Sequence, residues 1–201
     1  MIQHLRLAWA GFATRRKNKG SLPPLLSGDD LPGRWNVVDE RTWPTGRVGP
    51  RTPWSERARA NNSVTAWRSY HDGNDRWIWI QVVPLASESD AKTALPELGS
   101  RLLSNPKASH GVADERDVEV PPFPGAAAVW AREQHSVQAA TGKNVGTTFL
   151  IGAAAGANIV VLSLSGSPTW DWGSALNVAQ RQAELTMRTA SGPESSPTTL
   201  S

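Results

Sequence analysis

Cysteine is absent from the 201 residues, which excludes disulfides, thiolate metal sites and cysteine nucleophiles. Long apolar runs are absent too, since no stretch approaches the ~18 residues that span a bilayer. The first 20 residues do not have the order of a signal peptide, because His4 and Arg6 interrupt their apolar part and the basic run follows it. The sequence therefore predicts no transmembrane segment and a cytoplasmic location, with an exported form left open.

Signatures of enzymes are also missing. The sequence does not match the phosphate-binding loop motif, because Gly142-Lys143 is followed by Asn144 and Val137 stands where the motif needs an earlier glycine. No G-x-S-x-G sequence marks a nucleophile elbow. The interpretation therefore leans away from an enzyme, with no catalytic residue, no cofactor and no metal site.

The histidines leave one enzymatic alternative open. His71 stands beside Asp72 in a tight turn, where Asp, Gly and Asn are explained by turn geometry alone. Catalysis or metal binding needs several groups that converge in space, and one turn seldom supplies them. An enzyme whose site gathers distant loops, with His71, Asp72 and His135, is the remaining hypothesis of this class.

The leading segment is basic. Residues 1–60 carry 11 Lys and Arg against 5 Asp and Glu. Residues 1–20 form a predicted N-terminal arm, in which an apolar stripe runs into Arg15, Arg16, Lys17 and Lys19. Such a cluster suits contact with an anionic partner, nucleic acid or an anionic surface. Arg outnumbers Lys 16 to 5, however, a bias that GC-rich coding also produces.

A repeated pattern of strand, turn, strand, loop and helix carries the fold prediction. Residues 64–105 pair SVTAWRSY with RWIWIQVV across an Asp-Gly turn, followed by a helix capped by Ser87. Residues 145–188 pair VGTTFLIG with NIVVLSLS across residues 153–157, followed by a helix capped by Thr169. Pro96 lies inside the first helix and predicts a kink or a division into two helices.

Three further strands complete the predicted sheet: residues 34–39, 112–120 and 126–134. The sequence predicts an α+β fold, a single antiparallel sheet of six to seven strands built from two ββα units with two extra strands between them and helices packed on the sheet. Along RWIWIQVV both faces are apolar, which is typical of a central strand covered on both sides. Residues 21–190 form one domain, and residues 191–201 a polar, disordered tail.

Tryptophan is abundant, with ten residues, and most of them are expected in the core. Residues 42–62 differ, because they form a predicted Pro/Gly loop, irregular from Thr42 to Pro53, in which Trp43 and Trp54 alternate with arginines. Arginine interleaved with aromatic rings grips single-stranded nucleic acid. It also pins a loop to its own domain by cation–π contacts, which is the favoured interpretation.

The stretches SLPPLLSGDDLPG and IVVLSLSGSPTWDW…AQRQAEL, with the strand and helix order between them, resemble small actinobacterial sensor-type domains. These are the extracellular domains of certain Ser/Thr kinases and related lipoproteins, whose sheets look like the Mog1/PsbP group. The resemblance covers roughly residues 22–190. It implies a ligand- or partner-binding module without catalysis, with a cleft over the sheet. This chain lacks the cysteines, lipobox and membrane anchor of the exported members, and no functional residue carries over.

Together these observations predict a non-enzymatic module that binds a small molecule or a protein. The predicted contact residues lie in the Trp/Arg loop, beside whichever sheet face is open: Trp43, Arg47, Arg51, Trp54 and Arg57. Nucleic-acid or anionic-surface binding through the basic N-terminal third is the alternative, and it is not favoured.

Overall fold

A computed structural model describes residues 22–45, 52–102, 110–138, 141 and 144–190 of the chain. Within these residues, seven strands form one antiparallel sheet in the order β1-β2-β3-β7-β6-β5-β4, with three α-helices packed on it. The predicted α+β fold is confirmed. The elements are β1 (Asn36–Pro44), α1 (Pro53–Ala60), β2 (Val64–His71), β3 (Trp77–Pro84), α2 (Glu88–Leu102), β4 (His110–Asp117), β5 (Ala128–Gln138), β6 (Asn144–Ala155), β7 (Asn158–Ser165) and α3 (Trp172–Ala190).

The two ββα units meet at the centre of the sheet. Strand β3 of the first unit pairs with β7 of the second, from Trp77 opposite Ser165 to Pro84 opposite Asn158. The two hairpins are therefore joined edge to edge in one continuous layer. Because β3 is central, Ile78 and Ile80 are fully buried on one face and Val83 on the other.

We call the side of the sheet that packs against α3 the first face. Ala175, Ala179 and Ala183 form the buried stripe of α3, because small side chains let the helix approach the sheet closely. Residues 22–35 cover the rest of this face. Gln182 fastens that segment, since its side-chain amide accepts from Leu26 N at 3.0 Å and donates to Pro24 O at 2.9 Å.

The opposite side, the second face, carries α1 and α2. Trp54 of α1 and Leu95 of α2 join Val83 and Ile159 in a second core cluster at the end of β3 where Val83 lies. Helix α2 crosses from its own hairpin and packs on β5, β6 and β7. None of the described helices is long and apolar enough to cross a bilayer.

The segment predicted as an irregular loop is partly regular. Strand β1 continues to Pro44, and helix α1 begins at Pro53. Thr52 caps this helix, because its hydroxyl accepts from Ser55 N at 3.2 Å, and proline at the first helical position loses no hydrogen bond. The cap followed by proline is a helix start signal that the loop prediction overlooked.

One predicted helix start is wrong, and of the two outcomes predicted at Pro96 the division into two helices does not occur. Helix α3 begins at Trp172, and Asp171 caps it by accepting from Ser174 N at 2.8 Å, in place of the predicted Thr169. Helix α2 runs through Pro96 as one element and is not divided. Pro96 is exposed, so water can satisfy the backbone carbonyl that its missing N–H leaves unpaired. The Ser87 cap is confirmed, with Asp90 N donating to its hydroxyl at 3.1 Å.

Candidate functional site

Half-buried aromatic rings lie together on the second face, at the end of β2 and β3 that α1 and α2 leave uncovered. Ser69 on β2 stands opposite Trp79 on β3, and His71 stands opposite Trp77. Directly opposed residues of antiparallel strands share a face, so the rings form one surface. We call it the aromatic shelf, and its members are Trp67, His71, Trp77 and Trp79.

The local sequence explains why the shelf exists. Side chains alternate along a strand, so in β3 Ile78 and Ile80 point into the first-face core while Trp77 and Trp79 point to the second face. Neighbouring rings of the shelf contact one another. The centroids of Trp67 and Trp79 are 6.4 Å apart in an edge-to-face contact, and those of His71 and Trp77 are 4.4 Å apart.

Polar groups border the rings. Ser163 and Ser165 on β7 lie opposite Trp79 and Trp77 on the same face. Within the described part of the chain, their hydroxyls and the indole N–H groups of Trp67 and Trp79 make no hydrogen bond. The shelf therefore offers both donors and acceptors beside its rings.

Gln81 adds a buried polar atom next to the shelf. It stands opposite Trp67 on β2 and opposite Val161 on β7. Its side-chain nitrogen is shielded from solvent and has no hydrogen-bond partner among the residues that the structure describes. A buried donor without a partner costs about 1–3 kcal/mol, so its presence needs an explanation, and a functional role is one such explanation.

Two arginines flank the second-face surface, and both are paired. Arg41 lies over the Trp67 ring at 5.8 Å and donates from Nε to Asp39 at 2.9 Å. Arg132 donates to Asp117 at 2.7 Å and to Glu115 at 3.1 Å. These two cations face three carboxylates, so they give this part of the second face no excess of positive charge.

The predicted contact residues of the Trp/Arg loop lie beside the second core cluster. Trp43 is half-buried and packs against that cluster, whereas Trp54 is 3% exposed and donates its indole N–H to Glu97 at 3.2 Å. Arg57 donates from Nε to Asp90 at 2.9 Å. That hydrogen bond is the main reason that the pKa of Asp90 lies below its usual value.

The other predicted contact residues lie outside the described residues. They are Arg47 and Arg51 of the loop and the four cations of the N-terminal arm, Arg15, Arg16, Lys17 and Lys19. A ligand contact at any member of the predicted set stays a prediction.

The structure does not bring together the residues of the enzymatic alternative. His71 points to the second face, while His135 on β5 points to the first, because its neighbour Gln134 shares the second face with Thr148. Three strands separate β2 from β5 in the sheet, a distance of roughly 19 Å at the usual strand spacing.

Asp72 has a structural role in its turn. Burial tends to raise its pKa, but a hydrogen bond from Arg76 Nε at 2.9 Å and bonds from the backbone N–H groups of Asn74 and Arg76 lower it overall. Arg76 in turn lies over the Trp170 ring at 5.0 Å. Asp72 therefore stabilises the turn, in agreement with the sequence-based interpretation that turn geometry explains the residues there.

A buried carboxylate marks the first face. Glu133 accepts from Arg116 Nη2 at 2.9 Å and from the Trp172 indole N–H at 3.3 Å, and its other oxygen lies 3.2 Å from His135 Nε2. The hydrogen bond from Arg116 is the main reason that its pKa is lowered. Glu133 thus joins β4, β5 and the start of α3.

Metal binding has no candidate in the described residues, because no group of three or more His, Cys, Asp or Glu side chains there could hold an ion. The alternation along β3 predicts that Trp77 and Trp79 share a face, but most tryptophans were expected in the core. The missed signal is the pairing of these rings with polar serines of NIVVLSLS, since a buried face would oppose them with apolar residues.

Comparison with known proteins gives a distant structural similarity and no sequence match. No protein-family model matches the chain, and no curated protein sequence matches it. The solved extracellular domain of PknH from Mycobacterium tuberculosis is similar, with a TM-score of 0.46 and 10% identity over 79% of this chain and 86% of that domain. Similarity at that level supports no transfer of function.

Proposed function

We propose that the chain is a non-enzymatic binding module whose contact surface is the aromatic shelf, bordered by the Trp/Arg loop. The observation that carries the proposal is the set of half-buried rings left at one end of the second face. Adjacent aromatic rings that are only partly covered are typical of interaction sites, because they combine apolar area with polar edges. Trp43 shares this face, since it stands opposite Thr65 at the other end of β2.

The unpartnered polar groups support the same proposal. Gln81 keeps a donor without a partner next to Trp67, although an apolar side chain would be more stable there. If the Gln81 amide rotates toward the shelf, a ligand that accepts from this donor would offset the cost. The predicted loop contacts Arg47 and Arg51 belong to the proposal as a border of the shelf.

A fragment screen read by NMR tests the proposal. Each indole N–H gives its own signal, and single Trp→Phe variants assign the signals. We expect fragments that bind to shift the signals of Trp67 and Trp79 and to leave those of Trp35 and Trp170 unchanged. Hits that shift only Trp35 and Trp170, or no indole signal at all, would contradict the shelf as the contact surface.

The nucleic-acid alternative depends on residues outside the described part of the chain. Arg15, Arg16, Lys17 and Lys19 would supply its charge, and counterion release would make such binding fall steeply with salt. Among the described arginines, Arg41, Arg57 and Arg132 each already pair with a carboxylate. Because these arginines are paired, we favour binding at the aromatic shelf over binding of an anionic partner.

A further inference from the structure

We infer that the aromatic shelf binds a neutral carbohydrate chain through the apolar faces of its sugar rings. This inference rests on the proposed function and names its ligand class. It follows from the combination of half-buried aromatic rings, hydroxyl and indole N–H groups that have no partner in the described residues, and paired arginines on one surface.

The rings fit the apolar part of a sugar. One side of a pyranose presents C–H groups that carry partial positive charge, and an indole face is electron-rich, so the two attract. Trp67 and Trp79 meet edge to face with 61° between their planes, so they form an angled pair of indoles, with Trp77 next along β3. From Trp67 to His71 the surface extends about 13 Å along β2, which is long enough for more than one sugar ring.

The polar groups fit the hydroxyl edge of a sugar. A sugar hydroxyl both donates and accepts, so it needs partners of both kinds. Ser163 and Ser165 supply hydroxyls that do either, and the indole N–H groups of Trp67 and Trp79 supply donors.

The charge balance argues against charged ligands. Arg41 is held by Asp39, and Arg132 is held by Glu115 and Asp117. A phosphate chain would meet no unpaired arginine at these two positions and would approach three carboxylates. A cationic ligand would compete with Arg41 for the face of Trp67. A neutral ligand meets no repulsion from the carboxylates, and it can stack on Trp79 without displacing Arg41 from Trp67.

Calorimetric titration with neutral hexasaccharides of glucose, of mannose and of N-acetylglucosamine tests the inference. We expect at least one to bind, with an affinity that changes by no more than about twofold between low and high salt, because screening acts only on charges. A polyproline decapeptide and a thymidine decanucleotide serve as competing ligand classes, since polyproline also docks on aromatic grooves.

Variants connect binding to the shelf. Trp79→Ala should weaken the association at least about tenfold, the size of one lost aromatic stacking contact. Ser163→Ala should weaken it about threefold, for one lost hydrogen bond. Trp172→Phe, on the first face, should leave it unchanged, and Trp79→Phe should fall between wild type and Trp79→Ala. Thermal melting of each variant confirms that it is folded.

The outcomes separate the two proposals. Failure of all three saccharides, or binding that Trp79→Ala leaves intact, overturns the carbohydrate inference. If only the decapeptide binds, and Trp79→Ala abolishes that binding, the shelf remains the contact surface and its ligand is a peptide. Salt-sensitive binding of the decanucleotide alone, independent of Trp79, would overturn both proposals.

Discussion

Trp67 on β2 and Trp79 on β3 meet edge to face, with 6.4 Å between their ring centroids and 61° between their planes. The two rings support each other without a covering helix, because α2 leaves its own hairpin and packs on β5, β6 and β7. The aromatic rings of the first hairpin thus stay half-buried on the second face, whereas α2 covers part of the second hairpin there. The shelf is a consequence of how the repeated units share their helices.

Shelf tryptophans should contribute less to stability than core tryptophans. We expect Trp79→Ala to lower the free energy of unfolding by about 1–2 kcal/mol, because the ring is only half-buried. Trp170→Ala should cost about 3–5 kcal/mol, since that ring is 5% exposed and stacks on Trp35 at 5.6 Å. Urea unfolding of both variants measures the difference. Equal losses would mean that the shelf is part of the core.

The buried amide of Gln81 should lower the stability of the unliganded protein. Gln81→Leu removes a donor without a partner, so we expect the protein to become more stable by about 1 kcal/mol. Gln182→Leu is the matched control, because it leaves Leu26 N and Pro24 O unpaired, and it should cost about 2 kcal/mol or more. Denaturant unfolding checks both. A loss of stability in Gln81→Leu would show that the amide has a structural role.

The Glu133 carboxylate should give the fold an acid-sensitive contribution. Its pKa in the folded protein is lowered, chiefly by the hydrogen bond from Arg116, so the stabilisation is present above the unfolded pKa. It is lost as the pH falls below the ordinary range of a glutamate. We expect Glu133→Gln to reduce the loss of stability between neutral and acid pH. Unfolding measured across that range would contradict this if both proteins lost stability equally.

Tyr70 should make the fold sensitive to alkali. Burial is the main cause that raises the pKa of its hydroxyl from 10.0 to about 12, and the hydroxyl donates to Leu26 O at 2.5 Å. The stabilisation is present below pH 10 and is lost as the pH rises toward the folded value, on the order of 2–3 kcal/mol in total. Tyr70→Phe should remove this dependence but lower stability at neutral pH. An unchanged alkaline profile in the variant would show that another group causes it.

Gly166 should tolerate no side chain. It adopts φ +116°, and a Cβ there would meet Asp75 O at 2.0 Å. Gly73 has φ +86° with open space around it, so Gly73→Ala pays only the backbone cost of about 1–2 kcal/mol. We expect Gly166→Ala to destabilise the protein clearly more than Gly73→Ala. Similar melting temperatures for the two variants would contradict the close approach of β7 to the 72–75 turn.

The sheet could be predicted from the sequence because its signals are local. The Asp-Gly turn and the alternation in RWIWIQVV define β2 and β3, and the second copy of the pattern defines β6, β7 and α3. Helix α1 was missed because prolines and glycines outweighed the Thr52-Pro53 start signal. Local composition is a weak guide where a cap and tertiary packing decide the conformation.

The shelf could not be predicted in the same way. Which face of β3 stays open depends on where α2 lies, and α2 packs on strands of the other unit. No periodicity in the sequence of α2 specifies that crossing. The rings of Trp77 and Trp79 were identified on one face, but their exposure is a property of the assembled sheet.

The openness of the shelf is the claim on which the functional account depends, and a soluble paramagnetic gadolinium probe measures it directly. The probe broadens the NMR signals of indole N–H groups that solvent reaches. We predict strong broadening for Trp67 and Trp79 and little for Trp54 and Trp170, which are 3% and 5% exposed. If the signals of Trp67 and Trp79 are as protected as that of Trp54, the shelf is covered and the account is wrong.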